Sequence, residues 1–266
     1  MTTMAEVVPT PAAALIVARE GAGQGDGNGE GEGAGEGHRA REGECTGAGG
    51  PEFLLLKRSA SARFMPNAYV FPGGAVDADD ATESAYSACA GLDDEVACRA
   101  LGVQQGALRY FIAAVRETFE ECGLLYAYAQ EDLLVGPEAA PAAPGRAHHA
   151  ASVVAWCASS GWRIAVDRLF YVGHWITPRG LPRRFDTRFF LAQAPPGQRA
   201  ALVSDEMQEL VWLGAREALQ RHAAGRLLLM MPTVVLLEEM APFQSLATLL
   251  DYARSPRVIR AVMPDV

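Results

Sequence analysis

The sequence predicts an α+β fold in which a mixed β-sheet is sandwiched between helices. Short apolar runs typical of buried strands occur at 11–19, 53–57, 69–71, 169–177, 185–192 and 209–213. Helical patterns lie between and after these runs, and the longest covers residues 106–124. Because strands stand on both sides of substantial helices, we expect helices and sheet to pack as layers around a common core.

The first two predicted strands are separated by a segment of very different composition. Residues 20–50 are dense in glycine and acidic residues and contain almost nothing apolar. Ordering so much glycine costs more backbone entropy than the segment could recover by burial. We therefore expect a flexible loop whose exclusion lets the strands at 11–19 and 53–57 pair with each other.

The third strand, 69–71, is followed by Pro72, Gly73 and Gly74. Proline should end the strand ladder, and the two glycines permit a turn or a close approach of the backbone to a ligand. Beyond them, residues 83–90 and 94–101 are predicted as short helices. Either Asp93 or Asp94 can cap the second of these helices.

The helix predicted at 106–124 has one apolar side and ends at Gly123. Its second half reads R-E-x-x-E-E-x-G and contains Arg116, Glu117, Glu120 and Glu121. The three glutamates fall on one face, where like charges repel, so the face is either solvated or neutralised by a cation. Hard divalent cations such as Mg²⁺ prefer oxygen ligands of this kind.

The overall charge restricts the classes of partner. With 23 basic and 32 acidic side chains, the net charge of −9 argues against a nucleic-acid binder that neutralises phosphates. Local arginines could still hold a small anionic substrate. The turn between the strands at 169–177 and 185–192 contains Arg179, Arg183 and Arg184. Solvation of these arginines and a clamp on a phosphate both remain open.

Targeting features are not evident in the sequence. No run approaches ~18 uncharged apolar residues, and the first residues do not form a basic segment followed by an apolar one. The five cysteines form no C-x-x-C pair and are typical of reduced thiols. We expect a cytoplasmic protein with no membrane partner, and the sequence makes no prediction of its oligomeric state.

Gly74 and the glutamate-rich helix together resemble the Nudix hydrolase family, whose box reads G-x5-E-x7-R-E-U-x-E-E-x-G-U, where U is bulky and apolar. Asp80 stands where the family has its first glutamate, and Thr118 stands at an apolar position. The box then resumes at Arg116, so residues 81–110 are interpreted as an insertion within it. The resemblance implies a Nudix fold over residues 9–240, followed by a helical tail over 241–266.

The segment before the box resembles the coenzyme A diphosphatase branch, L-L-T-K-R-[SA]-x3-R-x3-G-x3-F-P-G-G. Leu56 replaces the threonine, and Asn67, which tolerates a left-handed backbone, replaces the glycine. The later segments W-I-T-P and R-F-D-T-R-F-F resemble a peroxisomal subgroup of these enzymes. Candidate substrate contacts are Lys57, Arg58, Arg63, Phe71, Gly74, Arg183 and Arg184.

The resemblance also implies Mg²⁺ or Mn²⁺ as cofactor. Glu117 and Glu121 are expected as metal ligands, with Glu120 as their helper and the backbone carbonyl near Gly73 as a further ligand. Arg116 is expected to orient Glu120.

The general base remains open between a glutamate of the box and Glu206 or Glu209 from a later loop.

Three functions are compatible with this sequence. The first is hydrolysis of coenzyme A or acyl-CoA to (acyl-)4′-phosphopantetheine and adenosine 3′,5′-bisphosphate. The second is hydrolysis of ADP-ribose or an NADH-type nucleoside diphosphate derivative on the same fold. The third is a ligand-sensing domain without turnover, which would be expected to lose carboxylates that this chain retains.

Overall fold

The computed structural model describes residues 7–21, 50–62, 64–136 and 151–265. The strands are β1 (Thr10–Glu20), β2 (Pro51–Arg58), β3 (Tyr69–Val70), β4 (Gly73–Ala75), β5 (Cys89–Ala90), β6 (Ala127–Gln130), β7 (Leu133–Leu134), β8 (Arg163–Ala165), β9 (Phe170–Ile176), β10 (Phe185–Gln193) and β11 (Met207–Gly214). The helices are α1 (Glu83–Ser87), α2 (Asp94–Leu101), α3 (Leu108–Cys122), α4 (Ala151–Ser160), α5 (Ala215–Ala223), α6 (Met231–Met240) and α7 (Leu246–Arg254).

The main sheet has the strand order β11-β2-β1-β10-β9, with β3 paired to β2 and β4 paired to β1. β1 and β10 run parallel, whereas the other pairs are antiparallel, so the predicted mixed sheet is confirmed. Successive residues of a strand point to opposite faces. In β1, Leu15 and Val17 join the hydrophobic cluster that contains α3, and Ile16 joins the cluster that contains α6 and α7. The sheet therefore lies between two helical layers.

The predicted pairing of the first two strands is also confirmed. β1 and β2 are antiparallel, with Ala18 opposite Phe53, and the Gly21 amide donates to the Gly50 carbonyl at 3.2 Å. The glycine-rich segment between them thus leaves and rejoins the sheet at neighbouring positions. The loop predicted for this segment lies mainly at 22–49, outside the described residues.

A second, four-stranded sheet of order β5-β8-β6-β7 was not predicted. Its strands have only two to four residues, too few to show a clear alternation of apolar and polar positions. The helix predicted at 83–90 is therefore wrong at its end, since α1 stops at Ser87 and Cys89 begins β5.

The strand structure around Pro72 differs from the prediction. β3 ends at Val70 as expected, but extended structure resumes at Gly73, where β4 pairs with β1. Pro72 cannot donate to the ladder, yet its carbonyl accepts from the Leu15 amide at 2.8 Å. A Cβ at Gly73 would lie 2.4 Å from the Ala13 carbonyl oxygen, so only glycine allows β4 to approach β1 this closely.

The helix α3 matches its prediction closely. It ends at Gly123, which adopts a left-handed φ of 74°, and its predicted apolar side is buried. Its N-terminus lacks a side-chain cap of its own. Asp94, the first residue of α2, supplies one by accepting from the amides of Gly106 at 2.8 Å and Leu108 at 2.9 Å. Asp93 alone caps α2.

The segment predicted as a C-terminal helical tail contains α7, whose Leu249 and Leu250 are buried against the main sheet. After α7 the chain is extended. Val262 forms an isolated bridge with Trp175, and the Ile176 amide donates to the Val262 carbonyl at 2.8 Å. Within the described ranges, no helix has the length and apolar character needed to cross a bilayer.

Candidate active site

Asp80 and Arg116 bring the two separated parts of the sequence motif together. Arg116 Nε and Nη2 donate to the two carboxylate oxygens of Asp80, each at 3.0 Å. Asp80 is fully buried and also accepts from the Asp77 amide at 2.8 Å. Such a two-pronged contact is the strongest geometry available to an arginine–carboxylate pair. Asp80 therefore forms a buried ion pair that holds Arg116 of the glutamate-rich helix.

The same guanidinium organises the neighbouring glutamates. Arg116 Nη1 donates to Glu117 Oε1 at 2.8 Å and to Glu120 Oε2 at 3.2 Å. Arg116 Nη2 also donates to the Ala75 carbonyl at 2.9 Å, which ties α3 to β4. One buried cation thus contacts three carboxylates. The cluster carries excess negative charge when all of these groups are ionised.

The two glycines of β4 lie against the remaining carboxylates. The Gly73 amide donates to Glu121 Oε2 at 3.0 Å, and Glu121 is otherwise buried. A Cβ at Gly74 would lie 2.4 Å from Glu117 Oε1, closer than real Cβ contacts come. The glycine pair therefore allows the backbone of β4 to pass directly beside both carboxylates.

Burial raises the pKa of each of the three glutamates above its ordinary value. For Glu120 burial raises the pKa to about 7, although the positive charge of Arg116 opposes this shift. For Glu121 burial is again the main cause, and the Glu117 charge adds to it, whereas the Gly73 amide and Arg58 oppose it. For Glu117 burial outweighs the hydrogen-bonded Arg116. This face of α3 therefore favours the binding of protons or cations.

A cavity of about 880 Å³ opens beside the glycine pair. Its wall at this end includes Arg58, Phe71, Gly73, Gly74 and Glu206. Glu206 lines the same cavity as Gly73 and Gly74, and its negative charge contributes to the raised pKa of both Glu117 and Glu121. The carboxylate cluster is therefore placed where a ligand in the cavity could reach it.

Known proteins were compared with this chain. No protein-family model matches the sequence. A crystal structure of a Nudix hydrolase from Alicyclobacillus acidocaldarius superposes with a TM-score of 0.66 at 26% identity, covering 92% of this chain and 96% of that one. Nudix hydrolase 7 of Caenorhabditis elegans is 34% identical over 185 residues, which are 68% of this chain and 52% of the relative.

The chain belongs to the Nudix hydrolase family. Acyl-coenzyme A diphosphatase NUDT19 of Homo sapiens is 27% identical over 253 residues, covering 76% of this chain and 64% of the relative. The chain thus spans between about half and two thirds of the length of these curated relatives. Asp80 and Arg116, which the sequence resemblance places on either side of an insertion in the Nudix box, are in direct contact.

The box carboxylates fit a hard divalent cation in donor type. All are oxygen ligands, and Glu120 Oε1 is buried with no hydrogen-bond partner in the described part of the chain. The glutamate side chains are not positioned to coordinate a cation together, because Glu117 and Glu120 each form an ion pair with Arg116. Over the described ranges, no group of three or more His, Cys, Asp or Glu side chains has the geometry to hold a metal ion.

The two candidate glutamates from the later loop have different surroundings. Glu206 lines the cavity. Glu209 instead accepts from the Tyr69 hydroxyl at 2.7 Å and lies 3.7 Å from Lys57 Nζ. Lys57 is therefore held in an ion pair and does not line the cavity, whereas its neighbour Arg58 does.

The arginine-rich turn is also divided by the structure. Arg183 is exposed and lines the cavity. Arg184 is buried, and donates to the carbonyls of Thr177 at 3.0 Å and Val7 at 2.8 Å. The prediction that Arg184 contacts substrate is therefore corrected to a role in holding the turn, because its donors are directed to backbone oxygens. Arg63 lies outside the described residues.

Sequence reasoning missed two parts of this site. The cap that Asp94 provides to α3 joins residues of separate elements, and no local pattern signals it. The far wall of the cavity, which includes Trp175, Met230 and Met231, was read only as strand and helix. The apolar run at 227–231 could have indicated a cavity wall, but such a run is equally typical of a buried core.

Proposed function

We propose that this protein is a metal-dependent hydrolase of diphosphate linkages. The observation that carries the proposal is the contact of Asp80 with Arg116, which connects the two segments that resemble the Nudix box. Glu121 and Glu117 of the second segment lie beside Gly73 and Gly74 of the first. This face of α3 brings three carboxylates together, with Glu121 buried and Glu117 and Glu120 partly exposed. Binding of cations would make it favourable, since ionised carboxylates at this spacing repel one another.

Glu117, Glu120 and Glu121 would hold Mg²⁺ or Mn²⁺, together with the backbone carbonyl of Gly73. A divalent cation bound there supplies charge neutralisation of the diphosphate and lowers the pKa of a coordinated water. Arg116 orients Glu117 and Glu120 through Nη1, and Asp80 in turn holds Arg116. The Gly73 amide fixes Glu121 Oε2.

Two glutamates remain as candidates for the base that takes a proton from the attacking water. Glu120 has a pKa raised to about 7, close to the value at which a general base works best at neutral pH. Glu206 lines the cavity, and its negative charge contributes to the raised pKa of both Glu117 and Glu121. Glu209 is the weaker candidate because Tyr69 and Lys57 hold its carboxylate.

We infer that the substrate is coenzyme A or an acyl-CoA, and that the products are (acyl-)4′-phosphopantetheine and adenosine 3′,5′-bisphosphate. The segment from 54 to 74 supports this substrate, as does the similarity to an acyl-coenzyme A diphosphatase. Arg58 and Arg183 both line the cavity and could contact separate anionic groups. ADP-ribose or an NADH-type compound remains the second candidate substrate.

The metal assignment is tested with Glu117→Gln and Glu121→Gln. We expect the rate of Mg²⁺- or Mn²⁺-dependent hydrolysis of the diphosphate to fall at least ~100-fold in each variant, because each substitution removes a charged ligand. Glu95→Gln is the matched control, since Glu95 is an exposed glutamate of α2. Circular dichroism establishes that the variants are folded. Undiminished turnover in both site variants would refute the metal assignment.

The substrate is tested with a panel of coenzyme A, 3′-dephospho-CoA, ADP-ribose and NADH, with product identification by mass spectrometry. We expect kcat/KM to be highest for coenzyme A. Equal values for coenzyme A and 3′-dephospho-CoA would remove the role proposed for the arginines. Binding of these compounds without any turnover would favour the ligand-sensing alternative.

A further inference from the structure

The cavity extends well beyond what a diphosphate requires. Its volume of about 880 Å³ is near the upper end of the ~300–1,000 Å³ typical of small-molecule pockets. The end beside Gly73 contains the charged side chains Arg58 and Glu206. The opposite end is mainly apolar, so the cavity is chemically divided.

The floor of the cavity crosses the main sheet from β4 to β9. Ala75 of β4 is opposite Ala12 of β1, which is opposite Thr187 of β10. Thr187 is in turn opposite Trp175 of β9. Three strand spacings of about 4.8 Å place the apolar end roughly 14 Å from β4. Ala12 has a small side chain, so it occupies little of the cavity along this route.

The far wall is apolar and adaptable. Trp175 and Phe185 come from the β9–β10 hairpin, and Phe64 packs edge-on against Phe185 at 5.5 Å between ring centroids. Met230 and Met231 at the start of α6 also contribute to this wall. Methionine side chains adjust to flexible apolar ligands because they are unbranched and polarisable.

Polar atoms at this end are few. Thr177, Thr187, Thr233, Arg183 and Asp265 supply the polar side chains there, and apolar side chains outnumber them. A nucleoside has donors and acceptors around its base and ribose, and each one buried without a partner weakens binding by about 5- to 150-fold. A flexible arm with methyl and methylene groups would instead gain about fourfold in affinity for each buried methylene.

We infer that the β9–β10 end of the cavity binds the non-nucleoside, largely apolar arm of the diphosphate substrate, and that Trp175 and Met231 determine specificity for it. This inference rests on the proposed diphosphatase function and deepens it. It gives the substrate an orientation in which the arm lies across the sheet on the α6 side, while the nucleoside lies elsewhere. Recognition is therefore expected for the acyl chain of an acyl-pantetheine arm, because the amide groups of pantetheine itself need polar partners.

Met231→Gln tests the inference with little change in side-chain size. Met231 is 57% exposed, so the variant should fold. The matched control is Val235→Gln, because Val235 is also exposed on α6 but does not line the cavity. kcat/KM is measured for dodecanoyl-CoA and for ADP-ribose with Mg²⁺. Both substrates contain adenosine and a diphosphate, but only the first has an apolar arm.

The ratio of the two kcat/KM values should fall about tenfold in Met231→Gln, since a buried amide without a partner weakens binding of an apolar arm. It should change by less than about twofold in Val235→Gln, as expected of a surface substitution. An unchanged ratio in Met231→Gln would overturn the inference, whether both values fell together or neither moved. Hydrolysis of both substrates would leave the proposed function standing in that case.

If neither compound is hydrolysed, the proposed function fails, and binding decides the inference separately. Calorimetric titration with dodecanoyl-CoA then replaces the kinetic assay. Binding that is about tenfold weaker in Met231→Gln than in Val235→Gln would support the inference. Equal binding by the two variants would overturn it.

Discussion

Replacing Gly74 by alanine should damage activity far more than stability. The added Cβ would lie 2.4 Å from Glu117 Oε1, whereas a carbon–oxygen contact normally needs about 3.3 Å. The carboxylate must therefore move by roughly 1 Å, because it is the end of a flexible side chain and β4 is held by its pairing with β1. A displacement of that size in a reacting site can cost about 100-fold in rate.

The expected change in stability is small by comparison. Insertion of one methyl group into a packed site costs about 1–3 kcal/mol, and a mobile clash partner places Gly74→Ala at the low end. A loss of about 1 kcal/mol corresponds to a fall in Tm of about 2–4 °C. The assay is kcat/KM at saturating Mg²⁺ combined with thermal unfolding by circular dichroism.

Two further glycine variants define the interpretation. Gly73→Ala places its Cβ 2.4 Å from the Ala13 carbonyl oxygen and 2.6 Å from the Ala14 Cα, which are backbone atoms, so this variant should be strongly destabilised. A Cβ at Gly136 meets no atom of the described residues within 4 Å, so Gly136→Ala should be neutral. Retention of activity in Gly74→Ala within about threefold of wild type would refute the placement of Glu117 beside β4. Unfolding of Gly74→Ala like that of Gly73→Ala would refute the reasoning on stability.

Three other predictions follow from the site. Asp80→Asn should lower the free energy of unfolding by about 3 kcal/mol in urea titrations, since it breaks a buried ion pair while Arg116 keeps other partners; a loss below about 1 kcal/mol would contradict this. Glu206→Gln should reduce kcat/KM more than Glu209→Gln, and the reverse order would favour Glu209 as base. The folded pKa of Glu120, about 7, is above its ordinary value of 4.5, so its contribution to stability is complete below about 4.5 and is lost as pH rises through 7. Tm measured in EDTA should therefore fall as the pH rises from 5 to 8, and it should fall less steeply in Glu120→Gln. Mg²⁺ should raise Tm more at pH 8 than at pH 5. An equal effect of Mg²⁺ at both pH values would contradict competition between protons and the metal ion for Glu120.

Local sequence patterns were sufficient for the elements that carry the chemistry. The 3.6-residue periodicity and Gly123 predicted α3 with an end that the structure confirms, because both signals act within one element. The left-handed backbone at Asn67, with φ of 61°, was predicted from the residue type for the same reason. The four residues of the R-E-x-x-E-E motif likewise needed no tertiary information to be placed on one helix.

The orientation of side chains relative to the site could not be read in this way. Lys57 and Arg58 are equally basic neighbours, but only Arg58 lines the cavity, because Lys57 is paired with Glu209, a partner that is distant in sequence. Arg183 and Arg184 differ for a similar reason, since the path of the turn directs Arg184 to backbone carbonyls. These outcomes depend on pairings between strands distant in sequence.

The sequence by itself therefore determined that α3 has a face of carboxylates and that this chain contains a motif of the Nudix type. Only the tertiary structure decided that Asp80 reaches Arg116 across an insertion, that Asp94 caps α3 from within that insertion, and that Trp175 and Met231 share one cavity wall. The physical reason is the range of the interactions. Periodicity and capping act over a few residues, whereas hydrogen bonds and cavity walls form between segments that only folding brings together.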